Sequence, residues 1–119
     1  MNENQNKKLY DLEERTLNFA KRVAIFCKNL PRNISNIEYS RQLIRSSGSI
    51  GANYIEANES LSKKDFVMRV KICRKEAKET AYWLKLILNT NEVAEEGETL
   101  LKEAVELKKI LSSILLKSV

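Results

Sequence analysis

Histidine is absent from the 119 residues, and with it the side chain that most often moves protons near neutral pH and most often ligates zinc. One proline and three glycines supply little of the turn chemistry that a fold of many short strands needs. The only cysteines, Cys27 and Cys73, lie far apart on apolar helical faces, which suits reduced packing thiols rather than a disulfide framework. No apolar run reaches the roughly 18 residues of a membrane span, and the polar start MNENQNKK lacks the apolar stretch of a signal peptide. A cytoplasmic protein is expected. Walker-type GxxxxGK(S/T), GxGxxG and CxxC patterns are also missing, which removes the usual phosphate, dinucleotide and zinc signatures.

Charged residues mixed with Leu, Ile, Val and Ala are abundant, and the length suits one domain with a real core. The expectation is an all-α, up-down-up-down four-helix bundle. Net charge is +5, and its distribution says more than its size. Residues 1–61 carry nine bases against seven acids, 62–89 eight against three, and 90–119 four against six. The third segment supplies the excess.

After a polar tail over 1–9, Leu12, Thr16, Phe19, Val23, Phe26 and Leu30 recur at alternating spacings of four and three, one face of a helix over about 10–29. Asp11 and Glu14 suit its start, and Pro31 ends it. Ser35-x-x-Glu38 reads as a capping box opening a helix over about 35–59. There Leu43, Ser47, Ile50, Tyr54 and Leu61 form a stripe, with Ile37, Ile44, Gly48, Gly51 and Ile55 on an adjoining one, so a broad buried arc is expected. Two glycines inside a helix cost about 1 kcal/mol each relative to Ala, and close approach of another backbone would offset them. A rival reading, a nucleic-acid clamp loop of the KH type, needs strands that are not visible.

Ser62-Lys-Lys-Asp65 caps a third helix over about 62–89, with Phe66, Val70, Cys73, Ala77, Thr80, Leu84 and Ile87 facing inward. Lys64, Lys71, Lys75, Lys78, Tyr82 and Lys85 cluster opposite. Between them runs a strip of Ile72, Glu76, Glu79 and Trp83, a candidate second contact surface. Asn91 to Gly97 is an acidic connection or frayed turn. A fourth helix over about 92–117 repeats the pattern with Leu100, Ala104, Leu107, Leu111 and Ile114, and Lys108, Lys109 and Lys117 suit its C-terminal end.

Catalytic readings find little support, and no catalytic, cofactor or metal site is assigned. Ser60-Leu-Ser-Lys63 matches SxxK, but that chemistry needs a larger fold with partner motifs, while Ser62 and Lys63 serve as cap and solvated side chain. Glu56, Glu76 and Glu79 could be a carboxylate metal set, yet bundle sites add Glu-x-x-His motifs, and pairing with Arg41, Arg45, Arg69 or Arg74 accounts for them better. The lysine face admits two readings, a solvated helix side or a phosphate-following surface on which Tyr82 stacks a base.

Ser49-Ile-Gly-Ala-Asn53-Tyr-Ile-Glu56-Ala57, Ser62-Lys-Lys-Asp-Phe66 and Arg74-Lys-Glu-Ala-Lys-Glu79-Thr-Ala-Tyr-Trp-Leu84 resemble the bacterial four helix bundle protein family. Its founding members are encoded by intervening sequences in 23S ribosomal RNA genes, and it has also been labelled S23 ribosomal protein. Against the family pattern S-(I/V)-P-x-N-I-A-E-G, Ser49, Ile50, Asn53 and Glu56 match, while Gly51 replaces Pro and Ala57 replaces Gly. The resemblance implies a bundle whose relatives form homopentameric rings. Related proteins include the accessory variability determinant of diversity-generating retroelements, which binds nucleic acid and a reverse transcriptase.

The expected function is a non-enzymatic homo-oligomer holding RNA or DNA on Lys64, Lys71, Arg74, Lys75, Lys78, Tyr82 and Lys85. Gly48, Gly51, Asn53, Glu56, Glu76, Glu79 and Trp83 are expected to fix helices or subunits. The alternative is a structural adaptor that binds a protein partner through the Ile72–Trp83 strip or an oligomer rim.

Overall fold

A computed structural model describes residues 3–92 and 95–118, with side chains from residue 11 onward. Residues 1 and 2 of the expected tail, and 93 and 94 of the acidic connection, lie outside the described residues. Four helices are formed among the described residues: α1 (Glu3–Lys28), α2 (Ile34–Asn58), α3 (Lys63–Thr90) and α4 (Glu95–Lys117). Each packs on its neighbour in sequence and α4 returns beside α1, the expected up-down-up-down bundle. The 28 residues of α3 span about 42 Å at 1.5 Å per residue, close to the molecule's 47 Å length, so the helices run side by side end to end.

The spacing of apolar residues reads the core well. All six positions of the α1 stripe are buried, as are Val70, Cys73, Ala77, Thr80, Leu84 and Ile87 on α3 and Leu100, Ala104, Leu107 and Leu111 on α4. Phe66 and Ile114 are half-buried, and Leu115 closes the α4 end of the core. The α2–α3 seam is lined by small residues. Ser46 and Thr80 hydroxyls share a 2.9 Å hydrogen bond there, and each also reaches a carbonyl of its own helix.

Helix ends depart from expectation where a rival polar group captures the free amides. α1 starts at Glu3, so Asp11 and Glu14 lie two turns or more inside it rather than at its start. The cap of α2 is Asn33, whose Oδ1 accepts from the Asn36 amide at 2.9 Å; Ser35 only donates its hydroxyl to that same oxygen. Ser62 caps α3 as expected, accepting from the Asp65 amide at 3.1 Å. A reciprocal amide pair, Asn36 with Asn91 at 2.8 Å both ways, ties the start of α2 to the end of α3.

The broad buried arc of α2 is corrected. Leu43, Ser47, Ile50 and Tyr54 are buried, but Ile37, Ile44 and Ile55 are 43, 47 and 49% exposed, and Leu61, beyond the helix end, is 99% exposed. The cause is geometric. Among the described residues α2 touches only α1 and α3, and Ile37, Ile44 and Ile55 lie beyond the arc that these two neighbours cover.

The glycines divide. A Cβ on Gly51 would stand 2.8 Å from Thr16 Oγ1, so α1 and α2 meet there as closely as a glycine allows. Gly97 plays the same part under Leu88 and Phe26, where a Cβ would fall 2.6 and 3.2 Å from side-chain carbons. Gly48 faces open space, with nothing within 4 Å, and so is not a packing glycine of the single chain.

Candidate nucleic-acid interface

Because α3 buries a stripe centred on Val70, Ala77 and Leu84, residues half a turn away must face outward. Lys64, Lys71, Lys75, Lys78, Lys85 and Tyr82 are all exposed. From Lys64 to Lys85 the row extends about 31 Å along the helix. Among the described residues none of these lysines enters an ion pair; the four found are Arg15–Glu103, Arg22–Glu96 and Arg45 with Glu76 and Glu79. Arg74 differs: it is half-buried on the α4 side and lies at the edge of the row.

α4 adds charge that the sequence alone does not connect with this face. Leu88 packs on Gly97, and Val67 shares a groove with Ser118, so α3 and α4 run antiparallel in constant register and Ala77 and Lys108 stand level. Lys108 and Lys109, both exposed, therefore stand at the same height along the bundle as Lys75 and Lys78. Sequence spacing within one helix does not carry this; the antiparallel register of α3 and α4 does. Toward the start of α3 the row ends in an open groove of 500 Å³, where Lys63, Lys64 and Lys71 rim an apolar floor of Val67 and Met68.

Tyr82 is 56% exposed and stands edge-on to Trp83, with ring centroids 5.1 Å apart and planes at 76°. Trp83 in turn packs on Tyr39 at 6.1 Å. An exposed aromatic ring steadied by a second one, with Lys75, Lys78 and Lys85 on the same side of the helix, is able to take a stacked base.

The residues expected to fix helices do so unequally. Arg45 of α2 donates to Glu79 at 2.8 Å and to the buried Glu76 at 3.3 Å, which identifies it as the partner among the four arginines considered. With Glu76 paired and Trp83 half-covered by Tyr39 and Tyr82, much of the Ile72–Trp83 strip is spent inside the chain. Asn53 accepts from Arg69 at 3.2 Å and donates to the Ser49 carbonyl at 2.9 Å, a second α2–α3 tie. Glu56 is exposed and is not brought together with Glu76 and Glu79; among the described residues no three potential ligands converge on a metal position. Ser60 donates its hydroxyl to the Glu56 carbonyl at 3.3 Å, a local turn contact.

Burial pushes the Cys73 thiol and the Tyr54 phenol each up to about 12, and raises the Cys27 thiol, which a hydrogen bond from Ser40 offsets in part. Both thiols therefore stay protonated near neutral pH and are poor nucleophiles. No described helix is long and apolar enough to cross a membrane.

The family described as 23S rRNA-intervening sequence protein matches residues 8–113. Among solved structures, a protein with unknown function from the S23 ribosomal protein family of Bacteroides thetaiotaomicron is similar, with 33% sequence identity and a TM-score of 0.77 over 87% of this chain and 96% of that one. No curated protein matches the chain.

Proposed function

We propose a function from one premise: the chain belongs to the 23S rRNA-intervening sequence protein family. It acts as a non-enzymatic, cytoplasmic homo-oligomer that holds RNA or DNA on the outer face of α3. The observation that carries the reading is the row Lys64, Lys71, Lys75, Lys78 and Lys85, five exposed ammonium groups that the described chain leaves without an ion-pair partner. Such groups bind phosphates by displacing condensed counterions, a mode that needs neither a pocket nor base-edge contacts. Tyr82 adds a stacking surface for an unpaired base. The non-enzymatic character fits carboxylates held by Arg45 and thiols kept protonated. One such face binds weakly, and repetition around an assembly, five copies if it follows the ring that the resemblance implies, multiplies it by avidity.

The test is the salt dependence of binding to structured RNA and to single-stranded DNA. A Lys71→Glu, Lys75→Glu, Lys78→Glu variant is expected to keep its helical circular dichroism and its assembled mass. Its log affinity should fall less steeply with log salt, by about 0.7–0.9 for each phosphate that is no longer neutralised. Wild-type affinity in the folded, assembled triple variant would show the surface to be wrongly assigned.

A further inference from the structure

We infer that the outer face of α2, centred on Gly48, is the surface against which a second copy of this chain packs, and that Gly48 marks the closest approach of the two. The inference rests on the homo-oligomer proposed above and says where its copies meet. Ile37, Ile44, Gly48 and Ile55 are spaced by seven, four and seven residues. At 100° per residue these positions fall within about 40° of one another, a straight row roughly 27 Å long. All of them are exposed. Thr16, set under Gly51, fixes how α1 lies beside this row and brings Leu17 and Ala24, also exposed, onto its flank.

Gly48 is the telling residue. In a helix interior only proline is less favourable, so a glycine there needs a compensating contact. Gly51 and Gly97 have theirs inside the chain, whereas a Cβ at Gly48 would meet nothing within 4 Å. The missing side chain leaves a hollow one turn from Ile44, in the middle of an apolar row, which is the shape that lets another helix come close.

The occupant follows from the form and charge of the face. A convex helix side of this length matches another helix side better than a small molecule. Its borders carry both signs, Lys21 and Arg41 against Glu38, Glu56 and Glu59, so it offers no preference to a polyanion and does not repel a second copy of a chain whose net charge is +5. Isoleucine loses little side-chain freedom on burial. The residues of α2 that face α3 are different ones, Arg45, Ser46 and Asn53, so copies joined at this row leave the lysines of α3 uncovered.

Sedimentation velocity over a concentration series, for wild type, Gly48→Leu, Ile44→Glu and Ile55→Glu, tests the surface. A Cβ at Gly48 has open space in the single chain and leucine is a better helix former than glycine, so the fold of Gly48→Leu should survive, and thermal melts check this. The expected result is an assembled wild type and at least a tenfold higher dissociation constant in each variant. If wild type assembles and the folded Gly48→Leu and Ile55→Glu variants assemble equally well, the surface is wrong while the oligomer stands. A wild type that is monomeric throughout overturns this inference and the oligomer together. Should Ile44→Glu fail to fold, the other two variants decide.

Discussion

Gly51 and Gly48 sit three residues apart on α2 and are glycines for different reasons. At Gly51 an added methyl would press on Thr16, whose hydroxyl already points to the carbonyls of Leu12 and Glu13 at 2.9 Å and cannot swing aside without giving up a buried hydrogen bond. Gly51→Ala should therefore gain about 1 kcal/mol of helix propensity and lose about 2–3 kcal/mol to overpacking, a net loss of about 1–2 kcal/mol. A melting temperature lower by roughly 5 °C is expected, and an equal or higher one would show that α1 can yield. The sequence shows that something must compensate glycine inside this helix, but a spacing cannot say which side the neighbour is on. That is why the two residues look alike as letters and differ in the fold. Gly97 looks like part of a frayed connection in the sequence, because its partners Leu88 and Phe26 come from other helices and leave no local mark.

At the scale of the helix, periodicity carries most of the information. The α1 stripe is legible in full because one side of the chain faces the core from Leu12 to Leu30. On α2 the same signal overstates burial: apolar spacing reports every face that shuns water, including one left open when the chain is alone, and Ile37, Ile44 and Ile55 are such a face. Helix ends are less legible still, since several polar side chains near an end compete for the same amides. Asn33 wins at α2 by reaching the Asn36 amide, and Ser35 only orients it. Asn33→Ala should cost about 1 kcal/mol, and Ser35→Ala no more than about 0.5 kcal/mol. Urea titrations of both variants check the order, and a larger loss for Ser35→Ala would return the cap to the residue that the capping-box pattern favours.

Across the whole molecule, the two proposed surfaces lie on different helices and are expected to respond oppositely to salt. The row on α2 is apolar, and its association should change little or strengthen as salt screens the mixed charges beside it. The row on α3 is cationic, and the phosphate binding proposed for it should weaken steeply as salt rises. The lysines are legible in the sequence, but a solvated face and a phosphate-binding face share one pattern, and the pattern cannot separate them; the added weight of Lys108 and Lys109 becomes visible only through the antiparallel register. A single row of about 31 Å covers only a few nucleotides, so an oligonucleotide of about 10 residues engages one copy and one of about 60 can engage several. Gly48→Leu leaves every lysine in place and removes the proposed seam. Its affinity for the short oligonucleotide should equal that of wild type, while its affinity for the long one should fall by about 10–100-fold, because avidity depends on linked copies rather than on any one contact. Fluorescence anisotropy at matched salt measures both. Equal losses on short and long strands would mean that the α2 face touches nucleic acid directly, and no loss on either would separate assembly from binding altogether.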